Sequence, residues 1–136
     1  MPKVKIDWAG GWSFDGYDSK GMPVDIDGTQ QMGAKPSDLL PIALAACSAT
    51  DLVMLLDDSD GVLESLSVQA QFTQQPDPPW TFQRVRMHYD IAGVGLTDED
   101  VAAAIEKSEN DLCSVAASLR ATVTIESTFN LTQSEA

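Results

Sequence analysis

The sequence predicts a single α+β domain with a mostly antiparallel sheet and one long buried helix. Short segments alternate apolar and polar residues, a nearly continuous apolar run fills 40–56, and the element order reads βββ-α-ββ-α-β. At 136 residues, of which 43% are hydrophobic, the chain is long enough to form one core. We therefore expect one domain over residues 1–136.

The N-terminal segment has the pattern of a short β-meander. Gly10-Gly11 and an Asp/Gly/Ser cluster at 15–21 separate its strands, because these residues favour turns. We expect three antiparallel strands with one face in water. Their apolar residues fall on even positions, namely Val4, Ile6, Trp8, Trp12, Phe14, Met22, Val24 and Ile26.

Residues 36–57 predict a helix that is apolar almost all round. Pro36 suits its first turn, and Pro41 indicates that the helix either bends or begins late. The segment is barely long enough to span a bilayer, and Asp51 near its middle costs about 2.5–3.5 kcal/mol on insertion scales. We expect a helix buried in protein. One sheet and one further helix leave part of it uncovered, so the sequence predicts a homodimer about a two-fold axis, with a fully internal helix in a monomer as the alternative.

Three further strands are predicted in the second half of the chain. Apolar residues alternate over 66–72 and again over 85–91, and the proline-rich segment 73–81 between them must be a loop. The chain ends in a strand over 121–131 with its apolar residues on one face.

A helical region precedes the last strand. Thr97 and Asp100 form a capping box that opens a helix. The segment "SEND" at 108–111 either continues this helix or breaks it, with Asn110 or Asp111 capping a second helix.

The charge of the chain excludes two classes of partner. With 21 acidic against 8 basic residues the formal net charge is −13, which repels nucleic-acid phosphates and anionic lipid. We therefore expect neither nucleic acid nor membrane as a partner.

The first residues, "MPKVKIDWAGG", lack the apolar region of a signal peptide, so we expect a cytoplasmic protein whose cysteines are reduced at rest.

Cys47 is a candidate functional residue, with core packing as the alternative. A buried Asp51 needs a partner or a raised pKa, so it either supports a site or reaches solvent or a backbone donor. The helix face that holds both residues also contains Leu40, Ala43, Leu44 and Met54.

Cys113 has a different setting. If Asn110 or Asp111 is an N-cap, Cys113 lies in the first turn of a helix, where backbone N–H groups favour a thiolate. Nearby acidic residues oppose this by like charge. Spacing alone leaves both a functional dithiol and two unrelated structural cysteines open.

His88, the one histidine, lies on the polar face of its strand and offers neither a metal site nor a Ser-His-Asp triad.

Two motifs resemble the OsmC/Ohr family of osmotically induced and organic hydroperoxide resistance proteins. They are "GAKPSDLLPIALAACSATDLVMLL" and, 66 residues after Cys47, "LCSVAASL". The Cys-Ser-Val form of the second motif is closest to the OsmC-like branch. The resemblance extends from about Gly28 to Leu131.

The resemblance implies an OsmC-like fold in an intertwined homodimer with its active sites at the subunit interface. It also implies a cysteine-based peroxidase of organic hydroperoxides without metal, haem or other cofactor. Cys47 would be the peroxidatic thiol and Cys113 the resolving thiol. A Cys47 sulfenic acid would then form a Cys47–Cys113 disulfide, which an external dithiol would reduce.

The chain departs from the hydroperoxide branch at two positions. That branch has a glutamate where Ser37 stands, and an N-terminal arginine, whereas the first arginine here is Arg84. Asp38, Asp51 and Arg120 are therefore the candidate supporting residues. The alternative function is a non-catalytic OsmC-like dimer that binds a small hydrophobic molecule at the subunit interface.

Overall fold

The structure, a computed structural model, describes residues 1–57 and 59–134. It confirms a mixed α+β fold with two three-stranded sheets and one long helix. The chain forms two compact units, Met1–Leu40 and a second that begins at Pro41; their union in one domain stays a prediction. The regular elements are β1 (Lys5–Trp8), β2 (Ser13–Tyr17), β3 (Pro23–Asp27), α1 (Leu39–Asp57), β4 (Val62–Gln74), β5 (Phe82–Val94), α2 (Asp98–Lys107), α3 (Ser114–Leu119) and β6 (Thr124–Gln133).

The first unit is the predicted antiparallel meander, in the order β1-β2-β3. Gly16 is required at its centre, because a Cβ there would lie 2.8 Å from the carbonyl oxygen of Val24. The buried Asp27 carboxylate accepts hydrogen bonds from the backbone N–H groups of Thr29 and Met32, at 2.8 and 3.0 Å, and so holds the following turn. Several large apolar side chains of this unit are more than 60% exposed: Val4, Ile6, Trp8, Trp12 and Met22.

Helix α1 begins late, which is one of the two predicted outcomes. A 3₁₀ turn at Pro36–Asp38 precedes it, and Pro41 lies in its first turn, where a missing N–H costs little. The buried positions follow one stripe: Pro41, Leu44, Ser48, Leu52 and Leu56.

The other side of α1 is open in the single chain. Ile42, Val53 and Met54 are 50–53% exposed. The alternative of a fully internal helix is therefore wrong. By length and composition Pro36–Asp57 could cross a membrane, although its leucine stripe joins the core of the second unit and Asp51 interrupts the apolar run.

The second sheet has the order β4-β5-β6 and supports the core. Strands β4 and β5 are antiparallel, whereas β6 runs parallel to β5, because a helical crossover separates these two strands. Three of the four strand pairings are thus antiparallel, as predicted. Alternate side chains of β5 are buried in one core with the leucines of α1, namely Val85, Met87, Tyr89 and Ile91.

The crossover contains the predicted capping box and an unpredicted turn. Thr97 Oγ1 accepts from the backbone N–H of Asp100 at 3.0 Å, and the Asp100 carboxylate accepts from that of Thr97 at 3.1 Å. A π-helical turn, Ser108–Leu112, then prolongs α2. Of the two alternatives for 108–111, continuation of the helix is therefore correct and capping by Asn110 or Asp111 is wrong, since both residues lie inside this turn and Cys113 is the N-cap of α3.

Candidate functional site

Cys113 is fixed between the π-helical turn and α3. Its backbone N–H donates to the carbonyl oxygen of Ser108 at 2.7 Å, and its Sγ accepts from the backbone N–H of Ala116 at 3.3 Å. The side chain is 1% exposed. Burial, followed by interaction with the neighbouring Cys47 thiol, raises the pKa of Cys113, while the N–H of Ala116 acts in the opposite direction. Cys113 is therefore a thiol rather than a thiolate at neutral pH.

Helix α1 places Cys47 against this thiol. The sulfur atoms of Cys47 and Cys113 and a carboxylate oxygen of Asp51 all lie within 4.8 Å of one another. Cys47 and Asp51 are half-buried, one turn apart on the same helix. Both cysteines are free. The fold thus brings together the two thiols that the sequence separates by 66 residues.

Two buried serines hold the carboxylate of Asp51. Ser108 Oγ donates to Asp51 Oδ2 at 2.8 Å and lies 3.0 Å from Ser48 Oγ. Because a hydroxyl has one proton and that of Ser108 goes to Asp51, Ser48 must donate to Ser108. Of the two alternatives for Asp51, polar support beside the thiols fits this arrangement.

A second polar cluster lies around the buried Tyr89. Its hydroxyl donates to Glu109 Oε1 at 3.0 Å, and Ser127 Oγ donates to the same oxygen. Burial, the largest cause, raises the pKa of Tyr89 well above its usual range. Among the residues that the structure describes, no buried side-chain nitrogen or oxygen lacks a hydrogen-bond partner. The site is therefore built on a satisfied polar interior, which favours a fixed geometry.

Arg120 and Asp38, the other candidate supporting residues, have partners of their own. Arg120 is exposed, and its guanidinium donates to Asn110 Oδ1 at 3.3 Å and to the carbonyl oxygen of Glu109. It thereby braces the π-helical turn. Asp38 lies in the first unit, where its carboxylate accepts from Gln30 Nε2 at 3.4 Å.

The sequence did not reveal the polar residues that form these two hydrogen-bonded clusters. They are Ser48, Tyr89, Ser108, Glu109 and Ser127. One signal was present: Tyr89 alternates with buried apolar residues on β5, and a buried phenol requires a hydrogen-bond partner. Which partner it finds depends on the packing of the crossover onto the sheet, and that is not local in the sequence.

An apolar groove of about 520 Å³ runs between α1 and β4. At 3.6 residues per turn, its helix residues lie on a different side of α1 from Cys47, so the groove and the dithiol are separate features of one chain. The groove is lined by Ile42, Ala45, Ala46, Ala49, Thr50, Val53, Leu66 and Val68.

Known proteins share this sequence pattern and fold. A family model described as OsmC-like protein matches residues 28–128. Protein YhfA of Escherichia coli K12 is 25% identical over 130 residues, which is 95% of this chain and 97% of YhfA.

Two solved structures extend the comparison to the fold. An OsmC-like protein from Mycoplasma pneumoniae superposes with a TM-score of 0.82 at 13% identity, over 96% of each chain. The organic hydroperoxide resistance protein OhrB of Bacillus subtilis gives a TM-score of 0.62 at 17% identity, over 96% of this chain and 98% of OhrB. Because the family model covers most of the chain, this protein belongs to the OsmC-like family.

Proposed function

We propose that this protein is a cysteine-based thiol peroxidase that reduces organic hydroperoxides. One observation carries the proposal: the half-buried Cys47 thiol lies beside the buried Cys113 thiol, with both sulfurs within 4.8 Å of Asp51. A disulfide needs an S–S distance of about 2.05 Å, so the sulfurs must approach by at most about 2.8 Å. Side-chain rotation with a small backbone movement can supply this.

The reaction has three steps. The Cys47 sulfur attacks the terminal oxygen of ROOH, the O–O bond breaks, and Cys47 sulfenic acid and the alcohol ROH result. The Cys113 sulfur then attacks the sulfenic sulfur, which forms the disulfide and releases water. An external dithiol reduces the disulfide by two thiol–disulfide exchanges and is itself oxidised.

Asp51 has the position of a proton carrier in the first step. Its carboxylate lies within 4.8 Å of both sulfurs and is oriented by Ser108. In the proposed mechanism it takes the Cys47 proton as sulfur attacks and returns that proton to the departing alkoxide.

We further propose that the working form is a homodimer. The open side of α1 carries Ile42 and Val53 beside an apolar groove, and a second copy offers the same surface for a self-complementary contact. The exposed tryptophans of the meander add apolar surface that a monomer would leave in water.

A non-catalytic dimer that binds a small hydrophobic molecule is the second candidate. It is favoured by the hydrogen bonds of Arg120, which go to Asn110 and Glu109. These bonds do not help to form a thiolate on Cys47.

Stopped-flow mixing with cumene hydroperoxide separates the two candidates. The reduced wild-type protein should consume peroxide in a fast phase and form the Cys47–Cys113 disulfide, visible by mass spectrometry as a loss of two hydrogens. Cys47→Ser should lose the fast phase. Cys113→Ser is the matched control, since it should turn over once and stop at a sulfenic acid that dimedone traps on Cys47.

One result would contradict the peroxidase, and another would reverse the assigned roles of the two thiols. Consumption by the wild-type protein no faster than by Cys47→Ser would leave the binding protein as the function. Normal oxidation of Cys113 in Cys47→Ser would show that the two thiols have the opposite roles.

A further inference from the structure

We propose that Cys47, Cys113 and Asp51 together bind one thiophilic divalent cation, of which Zn²⁺ is the main example, in the reduced protein. The sequence predicts no metal site around its one histidine, and the resemblance to the OsmC/Ohr family implies none. The fold instead joins two sulfurs and one carboxylate oxygen within 4.8 Å of one another. Thiolate sulfur and carboxylate oxygen are both zinc ligands, and two sulfurs favour zinc over magnesium or calcium.

The spacing of the three donor atoms fits one ion. Around a tetrahedral Zn²⁺ with Zn–S bonds of about 2.3 Å, two sulfurs lie about 3.8 Å apart. The observed limit of 4.8 Å therefore asks each donor to move by less than about 1 Å. Three protein ligands leave a fourth position for water, as in zinc sites with an open coordination position.

Groups around the donors already orient them. Ser108 Oγ donates to Oδ2 of Asp51 and so orients the carboxylate. The backbone N–H of Ala116 donates to the Cys113 sulfur, and such a bond stabilises a metal-bound thiolate. The net charge of −13 raises the local concentration of cations around the whole chain.

Binding must compete with protons and with oxidation. One ion replaces the protons of the two thiols, so that about two protons leave for each Zn²⁺ bound near neutral pH. Both sulfurs are then ligands and are withdrawn from disulfide formation. The binding does not depend on the proposed peroxidase, whereas its consequence, a slower reaction with peroxide, rests on that function.

The direct test is a titration of the reduced full-length protein with Cd²⁺, a spectroscopic substitute for Zn²⁺, in excess Mg²⁺ that occupies sites on the acidic surface. We expect a thiolate-to-cadmium charge-transfer band in the ultraviolet that saturates at one ion per chain. Excess Zn²⁺ should compete for the site and shift this titration to higher Cd²⁺ concentration. Cys47→Ser should abolish saturable binding, and Asp51→Asn should weaken it by at least about tenfold. Asp57→Asn, an exposed carboxylate on the same helix, is the matched control and should bind as the wild type does.

The titration can overturn the proposed metal site in several ways. Binding to Cys47→Ser with wild-type affinity, or equal weakening by Asp51→Asn and Asp57→Asn, would overturn the site. Saturation at one ion for two chains would also overturn it, since the ion would then bridge subunits. Stoichiometric binding by a protein that never consumes peroxide would support the metal site and reject the proposed peroxidase. Peroxide consumption by a protein that does not bind Cd²⁺ would reject the metal site and leave the peroxidase standing.

Discussion

At the scale of single residues, the environment of Cys113 sets two physical effects against each other. Its sulfur is the N-cap acceptor of α3, which stabilises negative charge, yet the side chain is 1% exposed. Burial dominates and raises the pKa of Cys113. In the proposed mechanism, a buried and protonated Cys113 thiol reacts only after a sulfenic acid has formed on Cys47.

The raised pKa of Cys113 predicts that the folded protein loses stability in alkali. The folded state favours the protonated thiol, so this stabilisation is complete below the unfolded pKa of about 8.5 and is lost as pH rises through the folded pKa. Urea unfolding of the reduced protein between about pH 8 and 10 should show a falling free energy of unfolding. In Cys113→Ser the fall should be smaller, and an equal fall would assign it to other groups, such as the buried Tyr89 at the upper end of this range.

The proton-carrier role of Asp51 predicts opposite effects on two reactions of Cys47. Asp51→Asn should slow peroxide reduction by about 100-fold, a typical contribution of general acid–base catalysis, because the alkoxide loses its proton donor. Alkylation of Cys47 by iodoacetamide needs no such proton and should not slow, since a negative charge that opposes the thiolate has been removed. Parallel loss of both reactions would instead point to a disturbed structure around Ser108.

The sequence was most informative about the residues whose chemistry is unusual for their position. Cys47 and Asp51 stand out in an apolar helix, and helical spacing places them one turn apart. The serines that orient Asp51 do not stand out. Ser108 meets Asp51 across 57 residues, and this contact arises only when the crossover packs onto α1.

At the scale of elements, the two ends of α2 differ in whether neighbouring residues in the sequence determine them. The start of α2 is fixed by Thr97 and Asp100, three residues apart, and the sequence predicts it correctly. Its end depends on a π-helical turn to which the guanidinium of Arg120, the residue just after α3, donates hydrogen bonds. Because these hydrogen bonds come from a residue beyond the turn, the local sequence left open whether the helix continues or a second helix is capped at Asn110 or Asp111.

The capping box gives a quantitative prediction for α2. Thr97→Ala removes the acceptor of the Asp100 backbone N–H and should lower the free energy of unfolding by about 1 kcal/mol. Thr97→Ser keeps the hydroxyl and should stay within about 0.5 kcal/mol of the wild type. Chemical denaturation of both variants measures the difference, and equal stability of the two would show that the cap contributes nothing.

At the scale of the whole molecule, apolar surface and charge act against each other. The open side of α1 and the meander expose large apolar side chains, and their burial drives association. Each chain also brings a formal net charge of −13, so two chains repel each other at low ionic strength. The sequence correctly predicts that one sheet and the second helix leave part of α1 uncovered, because an all-round apolar helix has more surface than they can bury.

A homodimer through α1 should be lost when charge enters its apolar groove. Light scattering of the wild-type protein at micromolar concentration should give twice the 14.6 kDa chain mass. The dimer should be more stable at higher salt, because salt screens the repulsion between the two chains. Val53→Glu places a carboxylate among apolar side chains in the groove, next to its own copy across a two-fold axis, and should yield monomers. Gln69→Glu adds the same charge at an exposed position of β4 outside the groove and should stay dimeric. A monomeric wild type, or a Val53→Glu variant as dimeric as Gln69→Glu, would mean that this groove is not where two chains meet.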